Sequence, residues 1–350
     1  MTWLLYGASG YTGELIAREA VRRGMRPVLA GRSKEKIQKL ADELQCPSAI
    51  FDLEDHTAMV SALNEVRAVL HCAGPFSATA RSMIQACLAT HVHYLDITGE
   101  IDVFELAHSV HDKAQRAGVL LCPGVGFDVV PTDCLAMKLH EALPNATHLA
   151  LGFDSRSGLS KGTAKTALES AGTGSRLRRD GKIIEVPYGS QVRRIDFGNG
   201  ERLAAGIAWG DVSTAFYSTG IPNIEVYSAT SQNGLKRMQR ANLLRPLLRR
   251  RLVQAFMKRR IERRLQPPNQ SQRESNPTFV WGEARDASGK SVTGRIVTAN
   301  GYALTVVSSL AIMSRILETS YSAGYVTPGM LMGADFISTL PGSSPIRIDA

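Results

Sequence analysis

A chain of 350 residues, 44% hydrophobic and 21% charged, is long enough for about two domains and excludes wholesale disorder. Its five cysteines form no CxxC pair, which excludes a disulfide framework and a thiolate zinc cluster and fits a reducing, cytoplasmic setting. The formal charge of +9 comes from one place: residues 235–265 hold 12 Lys and Arg against Glu262 alone, and the remainder has 29 bases and 31 acids.

The chain opens on WLLYG (residues 3–7), an apolar run that reads as a strand, so no export leader is expected ahead of it. GELIAREAVRRG follows with Leu15, Ile16, Ala20 and Val21 at helical spacing, stopped by Gly24. The pattern then repeats. PVLAGR precedes KEKIQKLADEL, SAIFDL precedes TAMVSALNEV, and AVLHCAG precedes ATARSMIQACLAT. VHYLDITG comes next, before one long helix over 103–118, and GVLLCPGVG closes the series. Strands without period-two alternation, separated by helical crossovers, predict a doubly wound parallel sheet, with ligands beyond the carboxyl ends of its strands. The fold class is therefore α/β: an N-terminal Rossmann domain over 1–130, then a second, α+β domain over 131–350.

Between the first strand and helix lies Gly7-Ala8-Ser9-Gly10-Tyr11-Thr12-Gly13. Glycines at that GxxGxxG spacing let the backbone turn sharply and approach a diphosphate, which the free N–H groups of a helix N-terminus then bind. Strand before and helix after make this a dinucleotide site. Where NAD-binding chains carry an acid after the second strand, this one has Gly31-Arg32-Ser33, with Lys36 close behind; a guanidinium suits a 2′-phosphate, so NADP(H) is expected. Asp52, after the third strand, accepts from the adenine amino group or caps a helix; the residues leave both open.

Three strand ends converge on the nicotinamide position: Ala73-Gly74-Pro75, the stretch Asp96 to Glu100, and the stretch Pro123 to Asp128. Asp96, Glu100, Asp128 and Asp133 are the carboxylates grouped there, each a candidate for moving a proton and equally a candidate cap. Tyr94 is a further candidate because it precedes Asp96. No tyrosine has a lysine four positions later, so a Tyr-xxx-Lys proton donor is absent. His91 and His93 form an HxH pair without a third ligand, and no metal site is expected.

YGASGYTG (6–13), AGR (30–32), the pair YLDITGE (94–100) and GVGFDVVPTD (124–133), and the tail GYVTPGMLMGADFISTLPG (324–342) resemble the saccharopine dehydrogenase-like oxidoreductases, which include saccharopine reductases and trans-acting enoyl reductases. The resemblance implies an NADP-binding domain, a second domain carrying substrate and homodimer contacts, and a C-terminal segment returning to the first domain. It implies an oxidoreductase acting on a small-molecule carbonyl, imine or enoyl substrate, lipid-like in one branch, and carries no catalytic residue across.

Past Pro131 the pattern changes to short runs, HLALGFD, KIIEVPYG, RRIDFG and a hairpin from TFVWGEARD to SVTGRIVT. Residues 158–179 are small, polar and basic and read as a helix near the cofactor or substrate, with Lys161, Thr163 and Lys165 facing either the cleft or solvent. In 243–265, Leu244, Leu248, Leu252 and Phe256 form one stripe, but Met257, Ile261 and Leu265 drift off it, which predicts two helical segments or a bend. Arginine mixed with leucine suits an anionic membrane surface or a plain solvated insertion, and the scarcity of aromatics argues against nucleic acid. PPNQSQRESNP (267–277) reads as a linker. The uncharged stretch 301–314 is broken by Thr305, Ser308 and Ser309 and falls short of the roughly 20 residues a membrane span needs. A noncatalytic nucleotide-binding protein, tethered to a membrane or partner by its arginines, is the competing reading.

Overall fold

The computed structural model describes residues 2–155, 168, 174–248, 250–264, 276–319 and 321–349. Six parallel strands, β1 (Trp3–Tyr6), β2 (Val28–Gly31), β3 (Ser48–Ile50), β4 (Ala68–His71), β5 (His93–Asp96) and β6 (Leu120–Cys122), lie in the order β6-β5-β4-β1-β2-β3. Every residue of β1, β4, β5 and β6 is buried, which is why these runs are apolar on both faces. The crossovers are α1 (Tyr11–Arg22), α2 (Lys34–Leu44), α3 (His56–Leu63), α4 (Phe76–Thr90), α5 (Ile101–Ser109) and α6 (His111–Ala117). The single helix expected over 103–118 is thus two. The chain leaves helical geometry at Val110 (φ −110°, ψ 15°), and in α6 the His111 Nδ1 accepts the Tyr325 amide at 3.0 Å.

Tyr325 belongs to a seventh parallel strand, Gly324–Tyr325, paired with β6. The chain divides into two units, residues 1–128 with 304–332 and residues 129–303 with 333–350. Residues 304–332 lie with the first unit although they follow most of the second in sequence.

In the second unit, α7 (Val130–Ala142) presents Leu135 and Leu139 one turn apart. They press on strand glycines: a Cβ on Gly282 would come within 2.6 Å of Leu139, and one on Gly294 within 2.7 Å of Leu135. The strands are β7 (Ala146–Asp154), β8 (Ser175–Arg179), β9 (Lys182–Val186), β10 (Val192–Asp196), β11 (Glu201–Gly206), β12 (Asn223–Ala229), β13 (Thr278–Asp286), β14 (Ser291–Thr298) and the terminal Arg347–Asp349. They form a mixed sheet in the order β10-β11-β12-β7-β13-β14-(347–349), with β8 and β9 attached at β12 and only β7 and β12 parallel.

β8 corrects the helix read over 158–179. Asp180 and Gly181 both have positive φ, 48° and 77°, and close a two-residue hairpin that pairs Arg179 with Lys182. Lys161, Thr163 and Lys165 lie outside the described residues. The basic segment forms two helices, Gln232–Leu248 and Arg251–Arg264, as the drifting apolar stripe suggests. Among the described residues, no helix is long and apolar enough to cross a membrane.

Candidate active site

The glycine loop is built by close backbone approach. The Gly7 and Ala8 amides both donate to Ala30 O, at 2.8 and 3.1 Å, which ties the loop to β2. Gly7 has φ 81°, and a Cβ there would lie 2.8 Å from Ala73 N; a Cβ on Gly13 would lie 2.3 Å from Gly7 O. These two glycines let the loop fold back on α1 and rest against Ala73-Gly74-Pro75. Gly10 differs. It is exposed, stands at the N-cap of α1 without a side-chain cap, and a Cβ on it would meet Gly7 O alone, at 3.2 Å. The first-turn N–H groups have no partner within the helix and carry the positive end of its dipole. With Ser9, Tyr11 and Thr12 half-buried beside them, the arrangement fits a diphosphate on bare main chain.

The second and third strand ends meet around Tyr6. Its hydroxyl donates to Phe51 O at 3.2 Å, and burial, then the Asp52 carboxylate, push the phenol up to about 12 while Arg32 pulls it down. Arg32 is exposed and makes no hydrogen bond among the described residues; Ser33 stands at the N-cap of α2 without using its hydroxyl there. Both are available to a ligand. Asp52 is not a helix cap: its carboxylate accepts the Glu54 amide at 3.1 Å, and Asp55 caps α3 by accepting the Ala58 amide at 3.0 Å. Arg32→Asp is expected to weaken NADPH binding by about tenfold to a hundredfold while changing NADH binding by less than about threefold, because a charge-assisted pair to phosphate is replaced by repulsion. Calorimetric titration with both dinucleotides measures this, and equal losses would remove the phosphate assignment.

Beyond β4, β5 and β6 the acids fall into different roles. Asp96, at the end of β5, is buried and accepts the Tyr94 hydroxyl at 2.6 Å and the Thr98 and Gly124 amides at 2.9 Å each, strapping the β5 and β6 loops together. Burial lifts its carboxyl to about 6 against the pull of those three bonds. Tyr94 is buried too, and burial followed by the Asp96 charge holds its phenol well above the usual range. Glu100 caps α4, accepting the Phe76 and Ser77 amides at 2.8 and 2.7 Å. In the second unit, Asp133 accepts the Ser218 hydroxyl at 2.7 Å.

Asp128 stands apart. It is half-buried and accepts no hydrogen bond among the described residues, and burial, then Glu100, push its carboxyl up to about 7. Gly99 leaves the space it fills, since a Cβ there would lie 2.7 Å from Oδ2.

Asp96→Ala strands two buried amides and the Tyr94 hydroxyl and is expected to cost about 3 kcal/mol or more, whereas Asp96→Asn keeps an acceptor for both amides, loses only the Tyr94 bond and costs about 1–2 kcal/mol. Thermal melts of the two variants check this, and equal losses would sink the strap. Because the Asp96 carboxyl is raised in the folded state, from 3.8 to about 6, its contribution to stability is present at low pH and is lost as pH rises through about 6.

Several residues of this region carry no motif. His71, buried at the end of β4, has Nε2 2.9 Å from Thr79 Oγ1, and the Thr79 hydroxyl reaches Ala73 O at 2.8 Å and Pro75 O at 3.1 Å. That chain braces the loop resting on Gly7. Burial lowers the His71 imidazole to about 3, so it is neutral. Thr305 and Ser308, from the helix Gly301–Glu318, hold the β6 loop: Thr305 Oγ1 accepts the Phe127 amide at 3.0 Å and the Ser308 hydroxyl donates to Val125 O at 2.7 Å. A lone histidine in an apolar strand and hydroxyls in an apolar helix were the visible signals. His91 stops α4 in left-handed geometry, and its Nδ1 lies 2.8 Å from Ala117 O; His93 Nδ1 accepts the Leu120 amide at 3.2 Å. No group of His, Cys, Asp and Glu suited to a metal occurs among the described residues.

Residues 3–122 match the model of the saccharopine dehydrogenase NADP binding domain. The chain is similar to a saccharopine dehydrogenase-like oxidoreductase of Mus musculus, 31% identical over 150 residues that cover 37% of this chain and 35% of that protein. A trans-acting enoyl reductase of Mycobacterium leprae is 28% identical over 145 residues, 39% of this chain and 35% of that protein. These matches span about a third of each relative's length. Among solved structures, apo saccharopine dehydrogenase (L-Glu forming) from Saccharomyces cerevisiae shares the fold, with a TM-score of 0.67 at 11% identity over 100% of both chains.

Proposed function

From a first unit whose residues 3–122 match the saccharopine dehydrogenase NADP binding domain, we propose that the chain is an NADPH-dependent oxidoreductase that reduces a carbonyl, imine or enoyl group of a small molecule, with Asp128 as the proton donor. One observation carries the assignment of the acid. Of the carboxyls beyond β5 and β6 in this unit, Asp96 and Glu100 are committed to hydrogen bonds that hold loops and a helix, whereas Asp128 accepts none among the described residues and is kept protonated to about pH 7.

Bound NADPH supplies the hydride. The Gly7–Gly13 main chain and the α1 N-terminus hold the diphosphate, and Arg32 with Ser33 holds the 2′-phosphate. The Asp96 strap and the Thr305 and Ser308 bonds fix the β6 loop that carries Asp128. Its carboxyl protonates the atom that gains electron density as the double bond is reduced. The name of the Mycobacterium leprae relative, a trans-acting enoyl reductase, favours an enoyl acceptor. NADPH oxidation measured against enoyl, keto and imine compounds tests the reading: turnover with one class is expected, and silence with all three would overturn it.

A further inference from the structure

The helix Gln232–Leu248 is attached to the second unit along one stripe. Leu235 is buried, the Gln239 side chain donates to Gly189 O at 3.3 Å, and Asn242 brackets Tyr188 by accepting its amide at 2.9 Å and donating to its carbonyl at 3.0 Å. At 3.6 residues per turn these three share one face. Arg237, Arg240 and Leu244 lie across the helix from that stripe and Lys236 and Leu243 on its flank, and all five are exposed. Leu243 is 83% exposed and Leu244 53%. The next helix, Arg251–Arg264, repeats the combination, with Phe256 66% exposed beside exposed Arg259 and Arg260.

An insertion that is simply solvated has no use for leucine and phenylalanine at its most accessible positions, and nucleic acid offers no apolar layer to receive them. An anionic bilayer satisfies both halves of the pattern: its headgroups attract the bases, and its acyl boundary accepts the apolar side chains. We propose that the outward faces of these two helices dock the protein on an anionic lipid surface, with Leu243, Leu244 and Phe256 inserting at the interface and Lys236, Arg237, Arg240, Arg259 and Arg260 contacting headgroup phosphates. The concentration of the excess positive charge of the chain in 235–265 supports the same partner.

The full chain is sedimented with vesicles of phosphatidylcholine alone and with vesicles holding about one third phosphatidylglycerol. Binding is expected to the anionic vesicles, to fall at least tenfold in 0.5 M NaCl, and to be near zero on the neutral ones. The triple variant Leu243→Glu, Leu244→Glu, Phe256→Glu is expected to lose at least tenfold in vesicle binding, and so is Lys236→Glu with Arg240→Glu. NADPH affinity and the melting temperature should stay unchanged in both, which separates lost docking from lost folding. No binding to anionic vesicles, equal binding to neutral ones, or RNA binding that survives the apolar triple variant would each overturn the proposal. Failure here leaves the reductase reading untouched, since the nucleotide site is measured separately.

Discussion

Gly13→Ala is expected to abolish NADPH binding, a loss of at least about a hundredfold, and to lower the melting temperature at the same time. The added methyl would sit 2.3 Å from Gly7 O and 3.0 Å from Ala8 Cα, and both are backbone atoms that cannot swing aside. The loop has to move off α1, which takes the first-turn N–H groups away from the diphosphate and costs about 1–3 kcal/mol in overpacking. For a unit of this size that is roughly 2–10 °C in melting temperature. Gly10→Val makes the informative contrast. Its Cβ would meet Gly7 O alone, at 3.2 Å, a tight contact that a loop shift of a few tenths of an ångström relieves, so the fold should lose less than in Gly13→Ala while the nucleotide is lost to direct obstruction. Calorimetric titration and thermal melts on both variants test the pair, and undiminished NADPH binding by Gly13→Ala would refute the loop assignment.

Asp128→Asn is expected to lower kcat for the reduction by about a hundredfold or more, the usual range for a general acid, with NADPH affinity unchanged. The pH profile is the sharper test. The carboxyl is raised to about 7, so the wild-type protein holds the required proton below that pH and kcat/KM for reduction should fall as pH rises through about 7. In the variant the residual rate should lose this inflection, because the amide does not titrate. An unchanged profile would transfer the proton donor elsewhere. The same raised carboxyl makes a statement about stability: its contribution is present below about 3.8 and is lost as pH climbs through 7, so the variant should melt less pH-dependently across that window.

Local pattern sufficed for the first six strands of the parallel sheet. Apolar runs such as WLLY and AVL call for burial on both faces, and Gly13 is dictated by contacts with Gly7 and Ala8 inside a stretch of seven residues, whereas Gly7 answers to Ala73. The position of Arg32 directly after a strand end was legible for the same reason. β8 was missed although its Asp180-Gly181 turn was visible, because the polar stretch before it suggested a helix.

Other features arise between residues far apart in the chain, and no local spacing records them. Gly324–Tyr325 joins the parallel sheet because β6 has an open edge, and Thr305 and Ser308 reach the β6 loop from about 180 residues away. The same holds for the division of labour among the acids. As letters, Asp96, Glu100 and Asp128 are equivalent loop carboxylates. The folded chain gives Asp96 two backbone amides and the Tyr94 hydroxyl, gives Glu100 the N-terminus of α4, and leaves Asp128 none among the described residues. A carboxyl's proton affinity follows its burial and its hydrogen bonds, and those are properties of the packed loops rather than of the residue type.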